Sequence, residues 1–172
     1  MPDKPMTIPA GRVLLRPIEE GDWADMLRIF TDDCVKKTYM LPDFDGVEAM
    51  DRLCCRFMAL SRDPARFVYG VALNGRLVGF LNETVKDEAV IELGYVIHPD
   101  WQNRGYMTEA LEAAVGALFQ MGYRAVRAAF FQGNMASRRV MEKCGMTPTG
   151  ETEEIEYRGE KRICVYYEIK VG

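Results

Sequence analysis

The chain is short of histidine, has no Cys-x-x-Cys pair and carries no excess of basic residues. One histidine (His98) and an odd set of thiols (Cys34, Cys54, Cys55, Cys144, Cys164) make neither a zinc site nor a disulfide framework. Free thiols in a reducing compartment and no metal are expected. Lys and Arg number 22 against 26 Asp and Glu, a net charge of −4, which speaks against a general nucleic-acid binder. No apolar run has the length of a membrane span. Met1-Pro2-Asp3-Lys4-Pro5 lacks the basic-then-apolar order of a secretion signal, so a cytoplasmic protein with no membrane partner is expected. No Gly-x-x-x-x-Gly-Lys-Ser/Thr occurs, which removes the commonest nucleoside-triphosphate site. Repeats, linkers and low-complexity tracts are also missing. One domain over residues 1–172 is expected, as a monomer or homodimer, with length enough to bury a full core.

What is present is a clear order of elements. Residues 1–10 read as a loose arm and Arg12–Ile18 as a first strand. Asp22 is placed to cap a helix striped by Trp23, Met26, Leu27 and Phe30. A second stripe (Val47, Met50, Leu53, Cys54, Phe57, Met58) ends before Asp63-Pro64. Two apolar runs, 66–73 and 76–85, flank Asn74-Gly75, a strong hairpin signal. Residues 89–98 form a central strand, and a helix follows with Met107, Leu111, Ala114, Val115, Leu118 and Phe119 on one face. Gly122 stops it, and 124–131 is a further strand, predicted parallel to 89–98 through a right-handed crossover. Asn134 opens another helix with Ala136, Val140 and Cys144 inward, and 149–157 with 161–170 makes a last hairpin. The sum is an α+β domain with a mixed sheet, antiparallel at its ends and parallel in the middle, flanked by about four helices.

The passage from Ile91 to Leu111 joins an apolar strand, a polar turn with a glycine and a helix start. That order leaves backbone N–H groups and a helix N-terminus beyond a strand end, which suits a phosphate-bearing ligand. Gln102-Asn103-Arg104-Gly105-Tyr106-Met107 resembles the pyrophosphate signature of the GNAT N-acetyltransferases, Gln/Arg-x-x-Gly-x-Gly/Ala, matching at Gln102 and Gly105 and departing at Met107. Val13-Leu14-Leu15-Arg16-Pro17, Glu92-Leu93-Gly94-Tyr95 before His98-Pro99, and Asn134-x-x-Ser137 before Val140-x-Glu142-Lys143-Cys144-Gly145-Met146 are similar to segments of the ribosomal-protein N-terminal acetyltransferase branch, in the same order. The resemblance implies acetyl-CoA as co-substrate and a GNAT-like sheet whose strands four and five splay apart to take the pantetheine arm. An N–H near Val96 and Ile97 would hold the thioester oxygen. The N–H groups of Gln102, Asn103, Arg104, Gly105, Tyr106 and Met107 would hold the pyrophosphate.

Acetyl transfer to an amine needs a neutral nucleophile, a polarised carbonyl and an acid for the departing thiolate. A peptide α-amine has a pKa of about 8 and a lysine-type amine about 10.4, so the base is either a carboxylate or a water chain. Glu92, expected to be buried in an apolar strand, is the candidate base. Its bland alternative is an ion-paired residue on a polar face. Asn134 is expected to bond the pantetheine or a water, and it is also a good N-cap. Ser137 is the candidate acid, since Met141 stands where many relatives carry a tyrosine; a water is the alternative donor. Arg138 is expected at the 3′-phosphate with Lys143, and Arg139 on a solvated face. His98 is read as positional, and Glu151, Glu153, Glu154 and Glu156 as a solvated hairpin face. Tyr39, Phe44 and Trp23 are candidates for the acceptor wall. The acceptor is a primary amine: a peptide N-terminus, a polyamine, an aminoglycoside or another small amine. A CoA-binding regulatory module without turnover is the rival reading.

Overall fold

The computed structural model describes residues 3–172. Eight strands form one sheet in the order β1-β2-β3-β4-β5-β6-β8-β7. The strands are β1 (Ile8–Ala10), β2 (Val13–Arg16), β3 (Val68–Leu73), β4 (Arg76–Lys86), β5 (Val90–Ile97), β6 (Ala125–Phe131), β7 (Thr147–Tyr157) and β8 (Glu160–Lys170). The β5–β6 pair is parallel and the other neighbours are antiparallel. Five helices flank the sheet: α1 (Trp23–Thr31), α2 (Asp33–Thr38), α3 (Val47–Arg62), α4 (Tyr106–Gln120) and α5 (Met135–Lys143). The fold is the mixed α+β sheet expected. The predicted strands four and five are β5 and β6, because the arm contributes a strand of its own. Residues 8–10 are not loose: Ile8 and Ala10 face inward while Pro9 pairs opposite Leu14.

The sheet separates two apolar cores. On one face α4 lays Met107, Ala110, Leu111, Ala114 and Leu118 against Leu15, Tyr69, Leu81, Leu93 and Val126. On the other, Met26, Ile29 and Phe30 of α1 and Phe57 of α3 meet Val68, Leu77, Phe80 and Val96. Each large side chain buried in this way contributes about 1.5–3 kcal/mol. The turn at Asn74-Gly75 has φ of +50° and +84°, the left-handed pair that a two-residue hairpin needs.

Local chemistry explains the remaining departures. Asp22 does not cap α1 through its side chain: Arg16 takes both carboxylate oxygens, at 2.7 and 2.8 Å, and the Glu19 N–H donates to one of them. Helix α2 escaped notice because its six residues are too few to show a stripe. It begins at Asp32, whose carboxylate accepts from the N–H groups of Cys34 and Val35. In α5 the buried residue is Met141, whereas Ala136 is exposed.

Tyr157, at the end of β7, ties the last hairpin to the segment after α2. Its hydroxyl lies 2.7 Å from the Lys36 carbonyl and 3.1 Å from that of Tyr39, and accepts from the Leu41 N–H and Arg158 Nε. Its ring is buried and stacks on Phe131. Tyr157→Phe leaves these buried groups short of a partner, which costs about 1–3 kcal/mol. We expect a lower urea midpoint with an unchanged slope; an unchanged midpoint would remove Tyr157 as a structural hub.

Candidate active site

Pairing between β5 and β6 stops early. The register runs from Val90–Ala125 to Leu93–Ala128, although β5 continues to Ile97 and β6 to Phe131. Beyond that point β6 pairs only with β8, and β5 only with β4. The two inner edges therefore carry backbone groups with no strand between them. Alternation along β5 identifies which ones. The His98 N–H donates to Val78 of β4, so the backbone of Val96 faces β4 as well. The side-chain amide of Gln102 donates to the Ile97 carbonyl at 3.1 Å, which marks Ile97 and Tyr95 as the residues facing the gap. The N–H groups that face the gap are thus those of Tyr95 and Ile97; Val96 lends its side chain to the core instead.

The loop after β5 points its amides the same way. Asn103 (φ +59°) and Gly105 (φ +82°) adopt left-handed conformations that turn the chain into α4. Gly105 is the N-cap and supplies no side-chain cap. Among the described residues, the N–H groups of Asn103 and Arg104 have no backbone partner, and the next four, Gly105 to Thr108, open the helix. Met107 does not crowd this loop, because its side chain is buried in the α4 core.

On the other side of the gap, the Asn134 side chain caps α5 by accepting from the Ser137 N–H at 3.2 Å. The Ser137 Oγ lies 2.8 Å from the Tyr95 hydroxyl, which also reaches the Ser137 carbonyl at 3.1 Å. This contact links β5 to α5 across the split. Burial pushes the Tyr95 phenol above its usual range, so it stays a neutral donor. Tyr95 lies in the Glu-Leu-Gly-Tyr motif, yet its link to Ser137 had no sequence signal.

At the far end, Glu92 is half-buried rather than enclosed by apolar groups, and the Thr84 hydroxyl donates to its carboxylate at 2.8 Å. The Tyr166 hydroxyl donates to Glu153 at 2.7 Å. That bond, burial and the charge of Glu92 together hold the Tyr166 phenol high. Tyr39 donates to the Asn82 side chain at 2.6 Å, and its ring reaches Gly94, where a Cβ would stand 3.3 Å from the ring edge.

Most of these groups line one cavity of about 800 Å³. It gathers Glu92, Val96, Ile97, Gln102, Asn103, Gly105, Tyr106, Met107, Asn134 and Ser137. Arg104 and Arg138 lie outside it. The Arg104 guanidinium sits over the Trp101 ring, and Arg138 pairs with Glu142 at 2.8 Å on the outer face of α5. The cations that line it are Arg139 and Lys143; of the expected pair Arg138 and Lys143, Lys143 does so and Arg138 does not. Trp23 and Phe44 do not reach the cavity, whereas Tyr39 does; Glu153 is the one member of the acidic hairpin run that enters it. His98 accepts from the Asp100 N–H at 3.2 Å and does not line the cavity.

The family model for the acetyltransferase (GNAT) domain matches residues 12–147. The chain belongs to this family. This GNAT chain is 33% identical over 170 residues to the uncharacterized N-acetyltransferase YnaD of Bacillus subtilis, with 94% of this chain and 95% of the relative covered. A GNAT-family acetyltransferase from Bacillus anthracis superposes with a TM-score of 0.82 at 27% identity, covering 96% of this chain and 98% of the other. The ribosomal L7/L12 α-N-protein acetyltransferase RimL, in complex with coenzyme A, superposes with a TM-score of 0.81 at 18% identity, with coverage of 96% and 98%; this likeness speaks for the fold alone. Among the described residues no helix is long and apolar enough to cross a membrane, and no cluster of His, Cys, Asp or Glu has the makings of a metal site.

The cysteines of this GNAT domain are free thiols in two classes. Cys34 and Cys55 are exposed, while Cys54, Cys144 and Cys164 are buried. Burial lifts the Cys54 thiol to about 11 and Cys144 to about 12. A thiol reagent at pH 8 is expected to label two cysteines quickly in the folded protein and all five in denaturant, by mass spectrometry. Fast labelling of Cys144 in the folded state would contradict its burial.

Proposed function

We propose that this single-domain chain, residues 1–172, is an N-acetyltransferase that moves the acetyl group of acetyl-CoA to a primary amine by direct attack in a ternary complex. The acceptor is a peptide N-terminus, such as that of a ribosomal protein, or a small amine. The observation that carries the reading is the convergence on one cavity of an unpaired strand edge and a run of unpartnered amides.

The pantetheine arm supplies amide groups that take the place of the missing strand between β5 and β6. The Ile97 N–H polarises the thioester carbonyl. The amides of residues 103–108 and the dipole of α4 receive the pyrophosphate, with Arg139 and Lys143 at the cavity wall for further phosphate charge. Asn134 orients a pantetheine amide or a water while it caps α5. Glu92, aimed by Thr84, takes the proton of the attacking amine directly or through water. The nitrogen then bonds to the carbonyl carbon, and the C–S bond breaks. Ser137 gives its proton to the leaving sulfur and recovers one from the neutral Tyr95 hydroxyl, which solvent resupplies. The cavity's acceptor end carries Glu92 and Glu153, which suits an amine arriving as its cation. Met107 and Met141, where the sequence departs from the family pattern, are both buried.

The first test is thiol release from acetyl-CoA across N-terminal Ala and Ser peptides, spermidine and an aminoglycoside. Turnover of at least one is expected; binding of CoA with no turnover on any amine would favour the module. Because Gly105 holds a left-handed conformation, any side chain there is strained, so Thr108 is the cleaner probe of the phosphate site. Thr108→Glu puts a carboxylate in the first turn, where a helix accepts it. It should weaken CoA binding by about tenfold or more in calorimetry with no loss in Tm. Unchanged affinity would sink the proposed phosphate site. Glu92→Gln should lower kcat by about a hundredfold and flatten its pH dependence. A wild-type pH profile in that variant would exclude Glu92 as the base.

A further inference from the structure

The turn between β1 and β2 reaches across the sheet edge to the loop that precedes α4. Gly11 and Arg12 form its tip. The Arg12 N–H donates to one oxygen of Glu109 at 2.8 Å, and its Nε donates to the other at 2.7 Å. A second guanidinium nitrogen of Arg12 donates to the Arg104 carbonyl at 2.6 Å. The guanidinium also lies 4.5 Å from the centroid of the Tyr106 ring. Gly11 permits this approach: a Cβ there would stand 2.7 Å from the Glu109 carboxylate.

Each contact bears on the phosphate loop. Glu109 sits in the first turn of α4, the end of the helix whose positive dipole would attract an anion. An uncompensated carboxylate there would repel one. Arg12 cancels that charge with both a side-chain and a main-chain donor. The Arg104 carbonyl and the Gly105 N–H belong to one trans peptide and point opposite ways, so by holding the carbonyl Arg12 leaves that N–H directed away from itself.

We propose that Arg12 is a positioning residue for the coenzyme's diphosphate: it neutralises Glu109 and fixes the 103–106 loop in the conformation that presents its amides to the anion. This inference rests on the reading of the chain as a CoA-dependent acyltransferase. It assigns to the first hairpin, which lines no part of the cavity, a role in co-substrate affinity. The lowered carboxyl of Glu109, which follows from its hydrogen bonds with Arg12, agrees with a standing charge that needs cancelling.

The test compares two co-substrates on Arg12→Ala: acetyl-CoA and S-acetylpantetheine, which has the same thioester and no diphosphate. The variant is expected to raise the Kd of CoA and the KM of acetyl-CoA by about tenfold, to leave kcat at saturation within about twofold, and to leave the KM of S-acetylpantetheine unchanged. A purely structural role for Arg12 would weaken both co-substrates alike, and that result overturns the proposal, as does an unchanged CoA affinity. Arg12→Ala combined with Glu109→Gln should regain most of the lost affinity, because the offending charge is gone. Failure to regain it removes Glu109 from the argument and overturns the charge-cancelling role. A wild-type protein that binds no CoA would sink the functional reading itself, before Arg12 is reached.

Discussion

The early end of pairing between β5 and β6 governs the architecture. Two parallel strands that stay together for four positions and then diverge expose backbone groups that a closed sheet would satisfy internally. The molecule keeps the divergence stable from both sides. β4 holds the end of β5, β8 holds the end of β6, and each outer pairing continues past the break. The Tyr95 and Ser137 hydroxyls meet across the opening and limit how far it can spread. Unpaired edges in a soluble sheet are ordinarily a hazard, and here the edge lies inside a cavity where another chain cannot reach it.

The cavity inherits a polarity from this construction. Its lining includes the loop from Gln102 to Gly105 and the cations Arg139 and Lys143, and also two carboxylates, Glu92 and Glu153, with the aromatic Tyr39 and Tyr166. On the proposed reading, an anionic diphosphate and a cationic amine would be drawn to different groups of that lining by charge. The sheet break lies between them, where an acyl group would change hands. The chain's net negative charge therefore says little about the site, since the charges are segregated rather than averaged.

Much of this could be read in the sequence because the deciding features are local. Asn74-Gly75 specifies its own turn, the α4 stripe specifies its buried face, and Gln102 to Met107 is a contiguous loop whose glycine announces a special conformation. Features that depend on spatial neighbours were not legible. Whether Arg138 or Arg139 faces the cleft depends on how α5 is rotated about its axis, and its stripe of Val140 and Cys144 leaves Met141 unplaced. The side of β5 on which Val96 presents its backbone follows from the pairing partner of His98, which is twenty residues away. The Asp22 carboxylate looked like a cap until Arg16 arrived from β2 to claim it. Glu92 looked apolar-bound because its strand neighbours are apolar, but the Thr84 hydroxyl comes from the adjacent strand.

The bond from Tyr157 to Lys36 joins positions 121 residues apart. The lining residues proposed to hold the coenzyme, Ile97 to Lys143, form a span with a local helix-and-strand register of its own. The acceptor wall is different, because Tyr39 and Met40 belong to a segment whose carbonyls and amides wait for a hydroxyl near the end of the chain. A ribosome delivers that hydroxyl late, and β8, which braces β6, later still, so both walls of the cleft are completed only when the last hairpin is made. The loop that Tyr157 closes spans most of the chain, and its closure carries an entropic cost that grows with the logarithm of loop length. A chain cut before residue 157 loses β8 as well as the Tyr157 hydroxyl, and with them both the brace of β6 and the tie to the segment of Tyr39 and Met40.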